Sequence, residues 1–565
     1  MIQSAVSARI RKRLAESARA FSATGRNPSL LRAQLAFGAT WTAEWAFTVA
    51  LGVVAFRDGG AGAVGVVAFV RMAPAALLAP LGTALADRFR RDRVLFWSCL
   101  IRAAATAAAA ALLAADGPKL AVYALAVVAT AAFTVFRPAH TALLPGLCTT
   151  PLELTSANVV RGLIDSLSTL LGPLAAALLL DLGSPAAVFA TTAALAFASA
   201  VLLLGLSYEA PPRGPPQPLR RIGLETAEGF RALVGYRDAG LLLGLALAQT
   251  LTRGFLTVFL VVVALDLLDT GDPGVGLLTA AVGAGAVAGS LGASMFVRGR
   301  RLATLEGIGV ALWGVPLSLS GAFPYEPAVL ALMCAIGVGN ALIDIGVFTL
   351  PTRLVPEELH ARVYGAFESL VALTVALGSL ITPLVIHLLG IRGALAVLGL
   401  VAPTLVVLAW RRLRAIDASI AHRDEEIDVL NKVGIFRPLP MPAIDSLALH
   451  VDHAHVAAGR EVFHQGDRGD RFYVIDDGEA EVIGDGRLIR TMGPGDGFGE
   501  IALLHDTLRT TTVRARTSLR LYALDRHHFV SAVSGYQSSA READTLVHAR
   551  LGAFDPRGGP RDDAA

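Results

Sequence analysis

A carboxylate and an arginine stand nine positions apart near the C-terminal end of the sequence, in FGEIALLHDTLRTTTVRA (498–515). Gly499, which has no side chain, lets a ligand come close to the backbone. A short helix predicted to begin at Ile501 presents unpaired N–H groups, which suit an anion. Arg509 can donate two parallel hydrogen bonds to the oxygens of one phosphate group. The segment therefore predicts a phosphate-binding site.

Ionisable residues also occur inside long apolar segments of the first four hundred residues. A charged side chain at the centre of a membrane helix costs about 2.5–3.5 kcal/mol on insertion scales, and such residues usually line a cavity. We interpret six of them as candidates for substrate binding or ion coupling. The six are Glu44, Arg71, Asp165, Arg253, Asp344 and Glu368.

Glu44 lies between two tryptophans in TWTAEWAF, and Asp344 follows Asn340 by one helical turn. An acid beside aromatic rings suits an amphipathic or cationic substrate. A proton-coupled transporter needs a carboxylate that is neutral in one state and charged in another, and burial and nearby arginines shift its pKa in opposite directions. Glu44 and Asp344 are our first choices for this role. The alternative for Glu44 is a structural ion pair, for instance with Arg71.

The composition predicts a membrane protein. Of 565 residues, 54% are hydrophobic and 17% charged, against about 25% charged in soluble proteins. The net charge of +3 indicates no nucleic-acid partner. The three cysteines have no disulfide or zinc-site spacing, so we predict no metal site.

Twelve apolar runs reach the length of about 20 residues that a helix needs to cross a lipid bilayer. Six precede and six follow a proline-rich polar segment at 207–221. Arginines collect in alternate loops, which places both termini in the cytoplasm by the positive-inside rule. The predicted spans lie near 33–56, 62–85, 94–115, 119–137, 158–180, 185–207, 239–265, 274–297, 303–322, 327–349, 363–389 and 393–413.

The two sets of six spans repeat each other. LGTALADRFRR (81–91) follows the second span and LGASMFVRGRR (291–301) follows the eighth, at an offset of 210 residues. LPGLCTTPLEL (144–154) and LPTRLVPEEL (350–359) correspond in the same way after the fourth and tenth spans. A duplicated six-helix unit places a substrate site between its two halves.

These features together resemble the major facilitator superfamily of transporters. The family's motif A, roughly G-x-L-A-D-R-x-G-R-R, is similar to ALADRFRRDR (84–93), although Thr83 stands where the first glycine is usual. The resemblance implies an all-α membrane domain of twelve helices in which Asp87, Arg88 and Arg91 form a gating loop. Asp87 would pair with arginines when the cytoplasmic side is closed; the alternative is a basic anchor that only sets orientation. Segments 138–160 and 354–369 further resemble the drug and siderophore exporter branch.

From about residue 434 the sequence changes to short alternating strands and glycine turns, which predict an all-β roll of jelly-roll type. The charged amphipathic segment 415–436 predicts a helix leading into it, and a helical stretch at 526–551 closes it. This module resembles the cyclic nucleotide-binding domain of kinase regulatory subunits, bacterial catabolite activators and gated channels.

Residues 498–513 match that family's phosphate-binding cassette, F-G-E-[IL]-A-L-x(n)-R-[ST]-x-[ST]-V. The resemblance implies that Glu500 accepts a hydrogen bond from a ribose 2′-hydroxyl and that Arg509 binds the cyclic phosphate. Thr510 fits contact with guanine, so cGMP and cAMP both stay open as the ligand. The implied binding residues are Phe498, Gly499, Glu500, Ile501, Ala502, Arg509, Thr510 and Thr511.

The sequence thus predicts a basic arm, a transporter domain, a helical linker, a cyclic nucleotide-binding domain and a disordered tail. Their predicted bounds are 1–29, 30–413 (halves 30–207 and 239–413, middle loop 208–238), 414–434, 435–552 and 553–565. We expect a proton-coupled exporter of small amphipathic molecules that cAMP or cGMP regulates. The alternatives are an importer or a non-transporting cyclic nucleotide receptor. No nucleophile–base set or cofactor motif is present, so an enzyme is not expected.

Overall fold

The computed structural model describes residues 27–148, 150–206, 228–231, 234–296, 301–355 and 357–552. The predicted N-terminal arm, apart from its last residues, most of the middle loop and the predicted disordered tail lie outside the described residues. The chain divides into two units, Met1–Ala415 and Ile416–Ala565. The first unit is helical, and the second contains eight strands within its described residues, which confirms the predicted order of a helical domain followed by a β-roll.

Long helices make up the first unit. Pro151 and Pro185 stand at helix starts, where the missing N–H of proline costs no hydrogen bond. A π-helical turn at Val263–Leu267 extends α6. The helices are α1 (Pro28–Arg88), α2 (Arg91–Ala114), α3 (Lys119–Leu147), α4 (Pro151–Leu182), α5 (Pro185–Leu203), α6 (Arg237–Val262), α7 (Gly271–Phe296), α8 (Leu302–Ala322), α9 (Glu326–Leu354) and α10 (Glu357–Leu430).

Ten helices in the described part of the chain are long and apolar enough to cross a membrane. Two of them are unusually long, because α1 has 61 residues and α10 has 74. The backbone leaves helical geometry at Gly59 and Gly60 in α1 and at Gly390 in α10, and each point falls between two predicted spans. The count of ten does not confirm twelve spans, and the number twelve stays a prediction.

The helices α1–α5 and α6–α10 meet through glycines. A Cβ atom on Gly283 in α7 would lie 2.5 Å from the carbonyl oxygen of Thr169 in α4. One on Gly65 in α1 would lie 2.5 Å from the carbonyl oxygen of Ser379 in α10. Membrane helices approach this closely only where side chains are small. The two halves of the first unit are therefore in backbone contact at these points.

An ion pair also joins the two halves. Arg57, just before the turn at Gly59 and Gly60, pairs with Asp272 at the beginning of α7. Within the first half, Tyr123 donates a hydrogen bond to Asp58 at 2.8 Å. Polar contacts thus surround the turn at Gly59 and Gly60.

Two antiparallel four-stranded sheets form the second unit, in the orders β1-β8-β3-β6 and β2-β7-β4-β5. Ile475, Phe498 and Leu521 belong to the apolar core built from both sheets. The strands are β1 (Asp452–Val456), β2 (Glu461–Phe463), β3 (Arg471–Asp477), β4 (Ala480–Gly484), β5 (Arg487–Met492), β6 (Gly497–Phe498), β7 (Thr512–Ala515) and β8 (Leu519–Asp525).

A second core joins the flanking helices to the roll. Phe472 and Phe529 stack with ring centroids 4.4 Å apart, and Phe436 packs against both edge-on. The stretch predicted as one closing helix consists of two, separated at Gly535 and Tyr536, where the chain turns. The helices are α11 (Met441–Ala448), α12 (Glu500–Leu504), α13 (Arg526–Ser534) and α14 (Gln537–Gly552).

Candidate functional site

Gly499 connects β6 to α12 with φ of +95°, a conformation that favours glycine. A Cβ atom there would lie 2.6 Å from Nη1 of Arg509. The helix that follows begins at Glu500, one residue earlier than predicted. Glycine therefore permits both the turn and the approach of the arginine.

The guanidinium of Arg509 is held inside the roll, with only 3% of the residue exposed. Its Nη1 donates to the Gly499 carbonyl at 2.9 Å, and its Nη2 donates to the Arg471 carbonyl at 2.8 Å. The guanidinium carbon lies 4.1 Å from the ring centroid of Phe463. Backbone and aromatic contacts thus fix the orientation of this cation.

Acidic groups surround this cation at longer range. Burial lowers the pKa of Arg509, while Tyr473, Asp470 and Glu500 act in the opposite direction. Asp470 lies 3.6 Å from Nη2, but its side chain is 75% exposed. An arginine remains charged throughout the physiological range. The roll therefore contains a permanent, largely desolvated positive charge.

A cavity lies beside Arg509. All eight predicted binding residues line this cavity. The other lining residues were not among the predicted contacts, because five of them come from β2, β4 and β5, outside the cassette, and Val513 is the last residue of the cassette. They are Phe463, Val482, Ile489, Arg490, Met492 and Val513.

In the first unit, Glu44 is paired with two arginines. Its Oε2 lies 2.8 Å from Nη2 of Arg102, and its Oε1 lies 3.8 Å from Nη2 of Arg71. Arg102 is 1% exposed, and its guanidinium also lies 4.8 Å from the ring centroid of Phe133. The structure brings Glu44 and Arg71 together, as the ion-pair alternative requires, but the nearer partner is Arg102.

Arg102, Arg161 and Glu306 are ionisable residues inside predicted spans that our sequence reasoning missed. Each is an ionisable residue that interrupts an apolar run, as Glu44 does, so the criterion that identified Glu44 would also have identified them. Both carboxylate oxygens of Glu306 are buried and have no hydrogen-bond partner in the described part of the chain.

Arg253 connects three other predicted residues. It interacts electrostatically with Asp344, Asp165 and Glu368, and its guanidinium carbon lies 5.8 Å from the ring centroid of Trp45. Asn340 donates a hydrogen bond to Asp344 at 3.1 Å, so the predicted polar pair on α9 exists. Residues from α4, α6, α9 and α10 thus form one electrostatic group.

A cavity lies between the two halves of the first unit. Trp45 and Arg71 from α1, Arg253 from α6 and Trp313 from α8 line it, and most other lining residues are apolar. Only Arg71 and Arg253 of the six predicted transport residues belong to this lining. The predicted residues that are not among its lining are Glu44, Asp165, Asp344 and Glu368.

For the predicted gating loop the structure describes one of three side chains. The side chains of Asp87 and Arg88 lie outside the described residues. Arg91 donates a hydrogen bond to the Ala142 carbonyl at 2.7 Å. The latch therefore stays a prediction.

Residues 34–373 match the family described as "Major Facilitator Superfamily", which is more than half of the chain. The chain belongs to this superfamily. Residues 453–536 of this major facilitator protein match the family described as "Cyclic nucleotide-binding domain". The two matches fall in the helical unit and the β-roll respectively.

The similar proteins resemble the C-terminal part of the chain. A curated "cAMP-dependent protein kinase regulatory subunit" from Schizosaccharomyces pombe is 32% identical over 204 residues, which is 34% of this major facilitator protein and 48% of the relative. The chain thus spans about half the length of that relative.

Solved structures include the "regulatory domain of Toxoplasma gondii PKA with cAMP", at 24% identity and a TM-score of 0.21, covering 23% of this chain and 51% of that one. Another is "Sp-2Cl-cAMPS bound to PKAR CBD2", at 26% identity and a TM-score of 0.21, covering 24% and 97%.

We expect Gly499→Ala to weaken cyclic nucleotide binding by about tenfold. A residue with a side chain pays about 1–3 kcal/mol at such a positive φ, and the added methyl group would displace the Arg509 guanidinium. Gly486→Ala is the control, because Gly486 also has positive φ (+78°) but no atom within 4 Å of its added Cβ. Titration of each full-length variant with cAMP and with cGMP measures its nucleotide affinity. Equal affinities in the two variants would show that displacement of Arg509 plays no part.

Proposed function

We propose that this protein is a multi-pass transporter of the cell membrane, with both termini in the cytoplasm, whose activity is set by cAMP or cGMP bound in the β-roll. We further propose that it exports small amphipathic molecules. One observation carries the regulatory part: eight residues predicted from the cassette converge on one cavity beside a buried guanidinium. Transport itself rests on the superfamily to which the chain belongs.

Arg509 is the proposed partner of the cyclic phosphate. An arginine has five N–H donors, and two carbonyls already orient this one. Its Nε is buried and has no hydrogen-bond partner in the described part of the chain. An anion in the cavity can therefore accept from Nε and from a second N–H of the same plane.

Glu500 and Thr510 are the proposed contacts to the rest of the nucleotide. Glu500 is 1% exposed and lines the same cavity, so its carboxylate can accept from a ribose 2′-hydroxyl. Thr510 fits a guanine contact, which keeps cGMP open. The name of the yeast relative supports cAMP as the first ligand to test.

The lining of the membrane cavity supports an amphipathic substrate with a negative group. Two guanidiniums, from Arg71 and Arg253, face a lining that is otherwise mainly apolar and includes two tryptophans. The carboxylate of Glu44 is already paired with Arg102 at 2.8 Å, which leaves less uncompensated negative charge for a cationic substrate. Of the two substrate types that we predicted, the amphipathic type fits this lining better.

Asp344 is a better candidate than Glu44 for the coupling proton. Its carboxylate is exposed within the bundle, beside Asn340 and within electrostatic reach of Asp165 and Arg253. Such a carboxylate can exchange a proton with water and also respond to the position of an arginine. Coupling by another ion is the alternative outcome.

Regulation requires that the nucleotide binds one transport state better than the other. The helix α10 contains the last predicted spans and continues to Leu430, within the unit that contains the nucleotide cavity. A conformational change at the start of the second unit would therefore act on a helix that is continuous with the membrane segment.

Transport in reconstituted vesicles tests this function. We expect an anionic dye such as carboxyfluorescein to move under a pH gradient, and a cationic dye such as ethidium to move less. Adding cAMP or cGMP on the side of the β-roll should change the rate by about fivefold or more, because allosteric coupling is typically 1–3 kcal/mol. Nucleotide binding without any dye flux would favour the receptor alternative. Flux that ignores bound nucleotide would overturn the regulatory proposal.

A further inference from the structure

Two histidines and a glutamate bring three metal-ligating atoms together in the second unit. His422 and Glu426 lie one turn apart on α10, and His453 lies on β1. Their ligand atoms all fall within 4.8 Å of one another. The group lies outside both cavities described above, and neither family match requires it.

The distances in this group fit a common metal ion. The Glu426 Oε1 atom lies 3.0 Å from Nε2 of His453 and 3.5 Å from Nε2 of His422. Nitrogen and oxygen ligands of one tetrahedral zinc ion, each about 2.0–2.2 Å from the metal, lie about 3.4 Å apart. The two histidine rings are stacked at 5.4 Å, so both Nε2 atoms face the same carboxylate.

Burial and charge favour a cation at this place. The Glu426 side chain is 8% exposed, whereas those of His422 and His453 are 62% and 44% exposed. One side of the group is thus fixed in the protein and the other is open, which leaves room for ion entry and for a water ligand. The surrounding sequence, RDEEIDVL (423–430), is acidic. The ring of Tyr522 packs edge-on against His453 at 5.0 Å and limits its rotation.

We propose that His422, Glu426 and His453 form a binding site for a divalent transition metal ion, with Zn²⁺ as the native ion. Two imidazoles and one carboxylate are borderline ligands that suit zinc, whereas calcium and magnesium prefer oxygen ligands alone. Three protein ligands leave a fourth position for water. The bound ion would join the α10 segment before Leu430 to strand β1, and so stabilise this helix on the roll.

The sequence did not reveal this site, because His453 is 27 positions from Glu426 and no short motif contains all three ligands. A second group, Asp525, His527 and His528, also has its ligand atoms within 4.8 Å. There the Asp525 carboxylate caps α13 by accepting from the backbone N–H of His528 at 2.9 Å, and none of the three residues is buried. We therefore assign no site to it, although it must be controlled for.

Zinc titration of the full-length protein in detergent, without an affinity tag, tests the proposal. We expect His422→Gln and His453→Gln each to weaken binding of one zinc ion per chain by at least about tenfold, the lower limit for loss of even an outer residue of a metal site. His455→Gln is the matched control, because His455 is exposed on the same strand and outside the group. A His527→Gln/His528→Gln double variant measures zinc bound at α13.

Cobalt(II) gives a second readout, since a four-coordinate site absorbs strongly in the visible range and an exposed six-coordinate ion does not. We expect this absorption in the wild type and in His455→Gln, and its loss in His422→Gln. His422 is largely exposed, so this variant should fold, and unchanged nucleotide affinity in zinc-free buffer would verify that. Wild-type zinc affinity in His422→Gln, or an equal loss in His455→Gln, would overturn the proposal.

Discussion

Replacing Arg509 by alanine should weaken binding of cAMP and cGMP by at least about 100-fold. Removal of one partner from a buried, hydrogen-bonded charge pair typically costs about 3 kcal/mol or more, and each 1.4 kcal/mol is a factor of ten. The cavity would keep its apolar wall but lose the buried guanidinium that lies beside Gly499. Calorimetry on the full-length protein measures the loss directly.

Two further variants separate this role from a role in folding. Arg509→Lys keeps the charge but not the planar pair of donors, so we expect an intermediate affinity. Arg514→Ala removes an exposed arginine that pairs with Glu481 at 2.9 Å. We expect nucleotide affinity to be unchanged in this variant. The phosphate assignment fails if Arg509→Ala is folded and binds nucleotide like Arg514→Ala.

Glu44→Gln should destabilise the membrane unit by about 3–5 kcal/mol, since it leaves Arg102 buried without its carboxylate. We expect a marked fall in melting temperature and in the yield of monodisperse protein. Removing both charges in Glu44→Gln/Arg102→Met should restore most of the stability, because apolar replacements of buried ion pairs are often neutral. Thermal unfolding in detergent compares the three proteins.

Asp238→Asn provides the control for that comparison. Asp238 pairs with Arg412 at 2.7 Å, but both side chains are partly exposed, so its loss should cost less than about 1 kcal/mol. The Glu44→Gln/Arg102→Met variant also tests proton coupling. If it folds and its dye flux still follows the pH gradient, Glu44 is not the proton carrier. If Glu44→Gln alone is as stable as Asp238→Asn, the ion pair with Arg102 contributes little.

The sequence predicted the elements whose pattern is local. Apolar runs mark the helices because a bilayer forces backbone hydrogen bonds to be made within each segment. The cassette was recognisable because Gly499, Glu500 and Arg509 lie close together in the sequence. Their convergence on one cavity depends on the pairing of β6 with β3 and on the backbone hydrogen bonds that join Arg509 to the segment at 466–467.

Contacts between distant segments could not be predicted in the same way. Arg102 and Glu44 are on different helices, and only helix packing shows which of several arginines is the nearer partner. The metal-ligating group needs a histidine from β1 beside two residues of α10. Each of these features depends on three-dimensional proximity rather than on spacing.

The glycine contacts between the two halves have a consequence for the transport cycle. Gly65 and Gly283 let the backbones of the two halves touch, so each contact depends on the absence of a side chain. We expect that a methyl group added at either position, 2.5 Å from a carbonyl oxygen of the other half, would force the helices apart at that point. An access state that needs this close approach would then be disfavoured, so a gain in volume alone could change which state is occupied.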